Sequence, residues 1–241
     1  IVTDAANLPM TILSGEVNLN RDMVDWDKVS LYRENEQKIG AKIDLNLWTH
    51  NAPIALFINY GYPDPVWREV TNDVRFRRAV SYSIDRNQMA DILYLGIAKP
   101  SRWFDPEYSP EKANELLDEM GLDKRDAQGW RIGPDGETFE FPIVYCVQGG
   151  YWERAVELLV EYLQKVGIKA TMKQVTMSLL GEMHNANQIQ ATIDWLDDVS
   201  WPYLHYDFRP LMRTGWGSPL WNLWYSTDGK QGEKPPEWIE E

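Results

Sequence analysis

One cysteine, three histidines and fewer bases than acids narrow what this chain can be. Cys146 stands alone, so no internal disulfide can form and no multi-cysteine metal site exists. It lies between Tyr145 and Val147 in a strand-like run, where a thiol is expected to serve as a small buried hydrophobe. No motif ties His50, His184 or His205 to it, which leaves a Cys–His nucleophile without support. The HExxH, GxSxG, Walker A and Rossmann glycine patterns are all missing. Glu182 and His184 have no second histidine at metal-binding spacing, and Asp105 and Glu107 lack the run of oxygen ligands around a central glycine that a calcium loop needs. No metal and no cofactor are therefore expected. No apolar run reaches the roughly 18 residues of a membrane-crossing helix. With 24 Lys and Arg against 37 Asp and Glu, the net charge of −13 offers no basic patch, and no nucleic-acid partner is expected.

What is present suits a globular fold. A chain of 241 residues can bury one large core or two modest ones. It has no internal repeat and no low-complexity stretch. Ile1-Val2-Thr3-Asp4 has neither the basic start nor the apolar stretch of a leader, and the chain ends in PPEWIEE; a processed or truncated piece is expected. Residues 11–23 read as a helix end, a turn at Ser14-Gly15 and a strand. Trp26, Val29 and Tyr32 recur three apart, as on a surface helix. Ile43, Leu45 and Leu47 alternate, as do Ile54, Leu56 and Ile58, so two strands are expected.

From Tyr60 to Gly96 a Pro-rich extended lead-in is followed by two short helices. Asn72 or Asp73 can cap the first, with Phe76, Ala79, Val80, Ser83 and Ile84 forming its buried stripe; Asp85 starts the second, with Gln88 in the capping-box position. Ser109-Pro110 opens another helix, with Ala113, Leu116, Leu117 and Met120 facing in and Gly121 closing it. Gly133-Pro134-Asp135-Gly136 is a turn joining a strand near Trp130–Ile132 to one over Thr138–Tyr145. A helix over 152–166, an alternation of Ile168, Ala170 and Met172, a helix around Ser178–Asn185 and a strand over Gln190–Trp195 complete the pattern. That order predicts an α/β lobe with a mixed sheet.

The last third is crowded with aromatic residues: Trp195, Trp201, Tyr203, Tyr206, Trp216, Trp221, Trp224 and Tyr225. An indole offers a flat apolar face plus one N–H donor, which suits stacking on sugar rings or on peptide side chains as well as filling a core. Trp195 and the acids Asp197 and Asp198 begin at the expected carboxyl end of a strand, where ligands gather in open α/β sheets. A glycosidase would need two carboxylates facing one another across a cleft; Asp194, Asp197 and Asp198 are too close in sequence to decide that. Asp197 or Asp198 could equally cap the next turn.

Several separated strings are similar to one family. PDPVWREVTNDVRFRRAVSYSIDRNQM closely resembles a signature segment of the family 5 extracytoplasmic solute-binding proteins of ABC importers. SPEKANELLDEMGL resembles a second hallmark, and ILSGEVNL a third, with Asn18 where Asp is usual. Trp195 to Pro202 resembles the family's W-x-x-D-x-x-x-P turn. The resemblance implies a type II periplasmic-binding-protein-like lobe, part of a larger two-lobed protein. Residues 1–60 would be a hinge-proximal segment with crossover strands, the strand that ends at Asn59 among them, and 61–241 the C-terminal ligand-binding lobe.

It further implies a monomeric binding component rather than an enzyme, periplasmic or lipid-anchored outside the cell, with ABC permease subunits as partners. The ligand would be an oligopeptide, or alternatively an oligosaccharide. The expected ligand-binding residues are Trp195, Asp197, Asp198, Trp201, Trp216 and Trp221. In peptide-binding relatives the acid of the turn pairs with the ligand's α-amino group, a role that falls to Asp198. Val199 stands where Tyr is common, and Thr176 and Met177 where some peptide binders place an aromatic lid. An enzyme using the acidic aromatic cleft is the reading from another class.

Overall fold

The structure, a computed structural model, describes residues 7–17, 28–44, 52–100, 107–148, 151–196 and 215–237. In chain order the elements are α1 (Leu8–Leu13), α2 (Val29–Glu34), α3 (Glu36–Ile39), β1 (Ala52–Ile58), α4 (Pro65–Asn72), α5 (Val74–Ser83), α6 (Arg86–Tyr94), α7 (Pro110–Glu119), β2 (Glu140–Tyr145), α8 (Trp152–Lys165), β3 (Lys169–Gln174), α9 (Met177–Asn185), β4 (Ala191–Leu196) and α10 (Pro219–Ser226).

Among the described residues the strands form one sheet in the order β1-β4-β2-β3. β2 runs parallel to β3 and to β4, and β1 runs antiparallel to β4, so the sheet is mixed as expected. β1, the last part of the 1–60 segment, thus pairs with β4 of the 61–241 segment. Pro142 sits inside β2 although proline cannot donate to a ladder. Its partner on β3 is Thr171, whereas β4 joins β2 one residue later, at Ile143↔Ala191.

One face of the sheet carries the main core. Phe141, Ile143 and Tyr145 of β2 and Ala191 and Ile193 of β4 point into it, against Trp67, Phe76, Leu117 and the α8 stripe of Val156, Leu159 and Leu163. The opposite face carries a smaller cluster of Val144, Cys146, Leu180 and Ile189 beneath α9. The split follows from strand parity: alternate residues of β2 serve alternate faces.

Local capping chemistry builds the helices that cover the main core. Asp73 accepts from the Arg75 amide at 2.7 Å, Asp85 from the Gln88 amide at 2.9 Å and Ser109 from the Lys112 amide at 3.3 Å. Five expectations need correction. The lead-in before Asp73 is itself a helix, α4, because Asp64 caps it through the Trp67 amide at 2.8 Å and Pro65 fits its first turn. Gln88 does not turn back on its own cap; its side chain accepts from the Tyr162 hydroxyl at 2.7 Å. The segments around the Gly133–Gly136 turn form only isolated bridges, Arg125↔Arg131 and Ile132↔Thr138, and β2 starts at Glu140. Met172 is 40% exposed, since β3 lies at the sheet edge. Residues 42–44 are not in a strand, and Lys42 pairs there with Asp44 at 2.7 Å. The rest of that alternation, and the strand read at 18–23, lie outside the described residues.

Where β1 leaves the sheet, buried amides tie residues 59–61 to residues 187–189. Asn59 donates to Asn187 Oδ1 at 2.7 Å and to the Ile189 carbonyl at 2.8 Å, while its own Oδ1 accepts from the Gly61 amide at 3.0 Å. Asn187, held at φ 55°, donates to the Gly61 carbonyl at 2.9 Å. Gly61 has no room for a side chain, because a Cβ there would lie 2.3 Å from Ser218 Oγ. Arg68 reaches across to Glu233 with two bonds of 2.7 Å and fastens the C-terminal described segment to α4.

Candidate functional site

The parallel strands β2, β3 and β4 end together at one edge of the sheet, the position where open α/β sheets collect ligands. Apolar side chains are exposed along that edge: Val147 after β2, Met177 at the start of α9 and Trp195 near the end of β4. Thr176 caps α9 there, its hydroxyl accepting from the Leu179 amide at 3.3 Å.

Trp195 is 44% exposed, on the same face of β4 as Ile193. It meets the buried Trp152, the first residue of α8, edge to face at 5.8 Å and 84°. An exposed indole braced by a buried one is a rigid platform with one face left for stacking.

Asp194 points the other way, as strand alternation requires. Its carboxylate accepts the Trp216 indole N–H at 2.6 Å and the Trp195 amide at 2.8 Å. The Trp216 ring lies 4.4 Å from the His184 ring and packs on the smaller cluster with Val175 and Met183. Burial holds the His184 pKa below its ordinary 6.5. The same burial pushes the Cys146 thiol pKa up, so the thiol stays protonated; it contacts Met177 Sδ and Gln148 Nε2, each at 3.7 Å.

The His184 environment gives a pH prediction. Folded His184 resists protonation, whereas in the unfolded chain it titrates at its ordinary value. The unfolded state therefore binds more protons as the pH falls through 6.5, and stability drops in that window. Replacing His184 by Phe should flatten that part of the decline, measured as the change in thermal midpoint between about pH 7.5 and about pH 5.5. An unchanged slope would contradict it.

Trp221 lies elsewhere. It is 3% exposed and stacks on Tyr60 at 6.4 Å and 16°, beside the amino end of β4. The three described indoles among the expected ligand-binding residues are therefore not brought together. Trp195 is at the carboxyl edge, Trp216 on the opposite face and Trp221 at the opposite end. Asp197, Asp198 and Trp201 lie outside the described residues, as does Asp105.

Glu107 is paired with Lys112 at 2.7 Å. Among the described residues no cluster of three or more His, Cys, Asp or Glu could hold a metal ion. No helix among them is long and apolar enough to cross a membrane. The Asp194–Trp216 bond and the Asn59–Asn187 pair carried no signal in the sequence, since each joins residues far apart in the chain; only the parity of Asp194 against Ile193 hinted that it faces away from the main core.

Comparison with known proteins adds the following. The profile described as "Bacterial extracellular solute-binding proteins, family 5 Middle" matches residues 1–210. A probable ABC transporter-binding protein of Deinococcus radiodurans is 21% identical over 129 residues, which make up 48% of this chain and 22% of that protein. The oligopeptide-binding protein OppA superposes with a TM-score of 0.70 at 26% identity, covering 99% of this chain and 43% of that one. The periplasmic binding protein MelB of Agrobacterium fabrum C58, solved in complex with stachyose, superposes with a TM-score of 0.73 at 17% identity, covering 99% of this chain and 39% of that one. This chain spans less than half the length of each of these relatives.

Proposed function

The chain belongs to the bacterial extracellular solute-binding proteins of family 5, and from that premise we propose that it supplies one wall of a cleft that closes on an oligopeptide. Proteins of this family are extracytoplasmic binding components of ABC importers and not enzymes. The observation that carries the reading is the carboxyl edge of the sheet. There β4 delivers an exposed Trp195, braced by buried Trp152, immediately before Asp197 and Asp198. Trp195, Asp197, Asp198 and Trp201 form the ligand-facing set. Trp216 backs it from the other face of the sheet, its indole N–H bonded to Asp194, whereas Trp221 is buried against Tyr60 at the opposite end and stands apart from it.

Affinity comes from stacking and from hydrogen bonds freed of competing water when the two lobes meet. An ammonium held in such a cleft needs a fixed counter-charge, which Asp198 supplies. The working protein is a monomer that delivers its ligand intact to membrane permease subunits, either free in a periplasm or anchored by a lipid. A second reading, an oligosaccharide ligand, is favoured by the free indole face of Trp195, and the stachyose held by MelB is an example within the fold.

The test uses the full-length protein that contains this chain. Asp198→Ala should weaken binding of tetra-alanine by about 10- to 100-fold, the size of one charge-assisted hydrogen bond, and barely affect its N-acetylated form. Equal losses for both peptides reject the ammonium role. Binding of stachyose with no response to either peptide selects the second reading.

A further inference from the structure

Two exposed apolar side chains at the carboxyl edge lie level with each other. β2 and β4 run parallel, with Ile143 opposite Ala191. Carried along both strands, that register sets Tyr145 beside Ile193 and Val147 beside Trp195. Alternation sets their faces. Tyr145 and Ile193 are buried in the main core, whereas Cys146 belongs to the smaller cluster on the opposite face. Gln148 shares that opposite face, since its Nε2 reaches the Cys146 sulfur at 3.7 Å. Val147, between the two, therefore turns to the main-core side, the side of Trp195. Burial raises the Cys146 thiol pKa and the nearby Asp194 carboxylate adds to the rise, in keeping with two residues level with each other one step back along the same strands.

The main core thus runs out of the sheet onto a shelf. Val147 is 45% exposed and Trp195 44%, and buried Trp152 of α8 lies against the Trp195 ring. Polar side chains flanking the two residues are engaged elsewhere. Asp194 accepts the Trp216 indole N–H and the Trp195 amide, and Gln148 Nε2 lies on the Cys146 sulfur. Thr176, level with Val147 along β3, caps α9. A sugar stacked on an indole also needs partners for its hydroxyls, because polar groups taken from water unpaired cost free energy. Beside Trp195 the shelf offers only the isopropyl group of Val147. A hydrophobic side chain asks for apolar contact alone and leaves no polar group unpaired there.

We infer that Val147 and Trp195 form a specificity subsite for one bulky apolar side chain of a peptide ligand, aromatic or branched aliphatic. The inference rests on the peptide reading above and narrows it, from peptides at large to those with such a residue at one fixed position. Trp195 supplies a ring face. Val147 supplies the flank that separates apolar from polar occupants, since a charged side chain would lose its water there and gain no partner.

Calorimetry on the full-length protein compares tetra-alanine with the four tetrapeptides that carry a single phenylalanine in place of one alanine. In wild type, at least one of these should bind about tenfold or more tighter than tetra-alanine, the gain from burying one such side chain. Val147→Asp should bring that ratio to within about threefold, and Trp195→Ala should do the same. Val147→Ile keeps the apolar flank and should preserve it. Each result is a ratio of two peptides on one variant, so a general loss of stability does not imitate it.

Wild-type affinities that all lie within about threefold of tetra-alanine overturn the inference and leave the peptide reading intact. A phenylalanine preference that survives Val147→Asp also overturns it. A wild-type protein that binds none of these peptides, with or without binding stachyose, defeats the underlying reading, and the subsite falls with it.

Discussion

Arg131→Met is expected to lower the unfolding free energy by about 3–5 kcal/mol, read as a fall in the urea midpoint at unchanged slope. The guanidinium of Arg131 is fully buried. All five of its N–H donors are used. Nε donates to the Val166 carbonyl at 2.8 Å. One terminal nitrogen donates to Asp118 at 2.6 Å and to the Leu122 carbonyl, and the other to Asn114 Oδ1 at 2.7 Å and to the Asn114 carbonyl at 3.5 Å. Burial pulls its pKa below the ordinary guanidinium value, and the Asp118 contact opposes that pull.

A buried ion pair can often be exchanged for apolar groups at no cost. Here two of the partners, the Leu122 and Val166 carbonyls, are main-chain groups just past the ends of α7 and α8, and no apolar side chain can satisfy them. Lysine should fail as well, because a single ammonium cannot reach acceptors spread around a planar fork. A midpoint equal to wild type in Arg131→Met would show that water replaces the guanidinium without penalty, and the clamp would then have no energetic role.

Trp67→Ala should cost a similar amount, about 3–5 kcal/mol. Trp67 is 1% exposed and sits where α4 meets the sheet, 5.1 Å from the Phe141 ring, 5.9 Å from Phe139 and 6.2 Å from Tyr62. Truncation leaves a void that three large rings cannot close. Its indole N–H also donates to the Asn59 carbonyl at 2.7 Å. Trp67→Phe should therefore retain most of the packing yet lose about 1–2 kcal/mol, because the buried Asn59 carbonyl keeps only the long contact from the Tyr62 amide at 3.5 Å. The same measurement separates the contributions: equal losses in the Phe and Ala variants would assign the whole effect to the hydrogen bond, and a neutral Phe variant would assign it to packing.

Much of the architecture was legible because its causes are local. Asp73, Asp85 and Ser109 announce helix starts within three residues of themselves, and the α8 stripe repeats at helical spacing over its full length. Cys146 was legible for the same reason, as a thiol inside an apolar strand. Errors arose where two local signals compete. Pro65 fits both an extended segment and a first helical turn, and the Asp64 cap decides for the helix. Met172 alternates correctly with Ala170, yet alternation does not say which strand lies at an edge. In the candidate site, the placement of Trp195 at a strand end follows from sequence order. The burial of Trp221 against Tyr60 and the Asp194–Trp216 bond depend on strand pairing across more than a hundred positions of chain in one case and on a 22-residue return in the other. No local pattern encodes either.

The exposed rim of β3 has a further consequence for self-association. A stray strand from another copy would have to lie alongside Lys169, Thr171, Met172, Lys173 and Gln174 to extend the sheet. Lys169 is already engaged with Glu140 at 2.7 Å, and Lys173 stands exposed. Stacking identical copies along that rim would line ammonium groups up against one another, which works as a gatekeeper against amyloid-like growth.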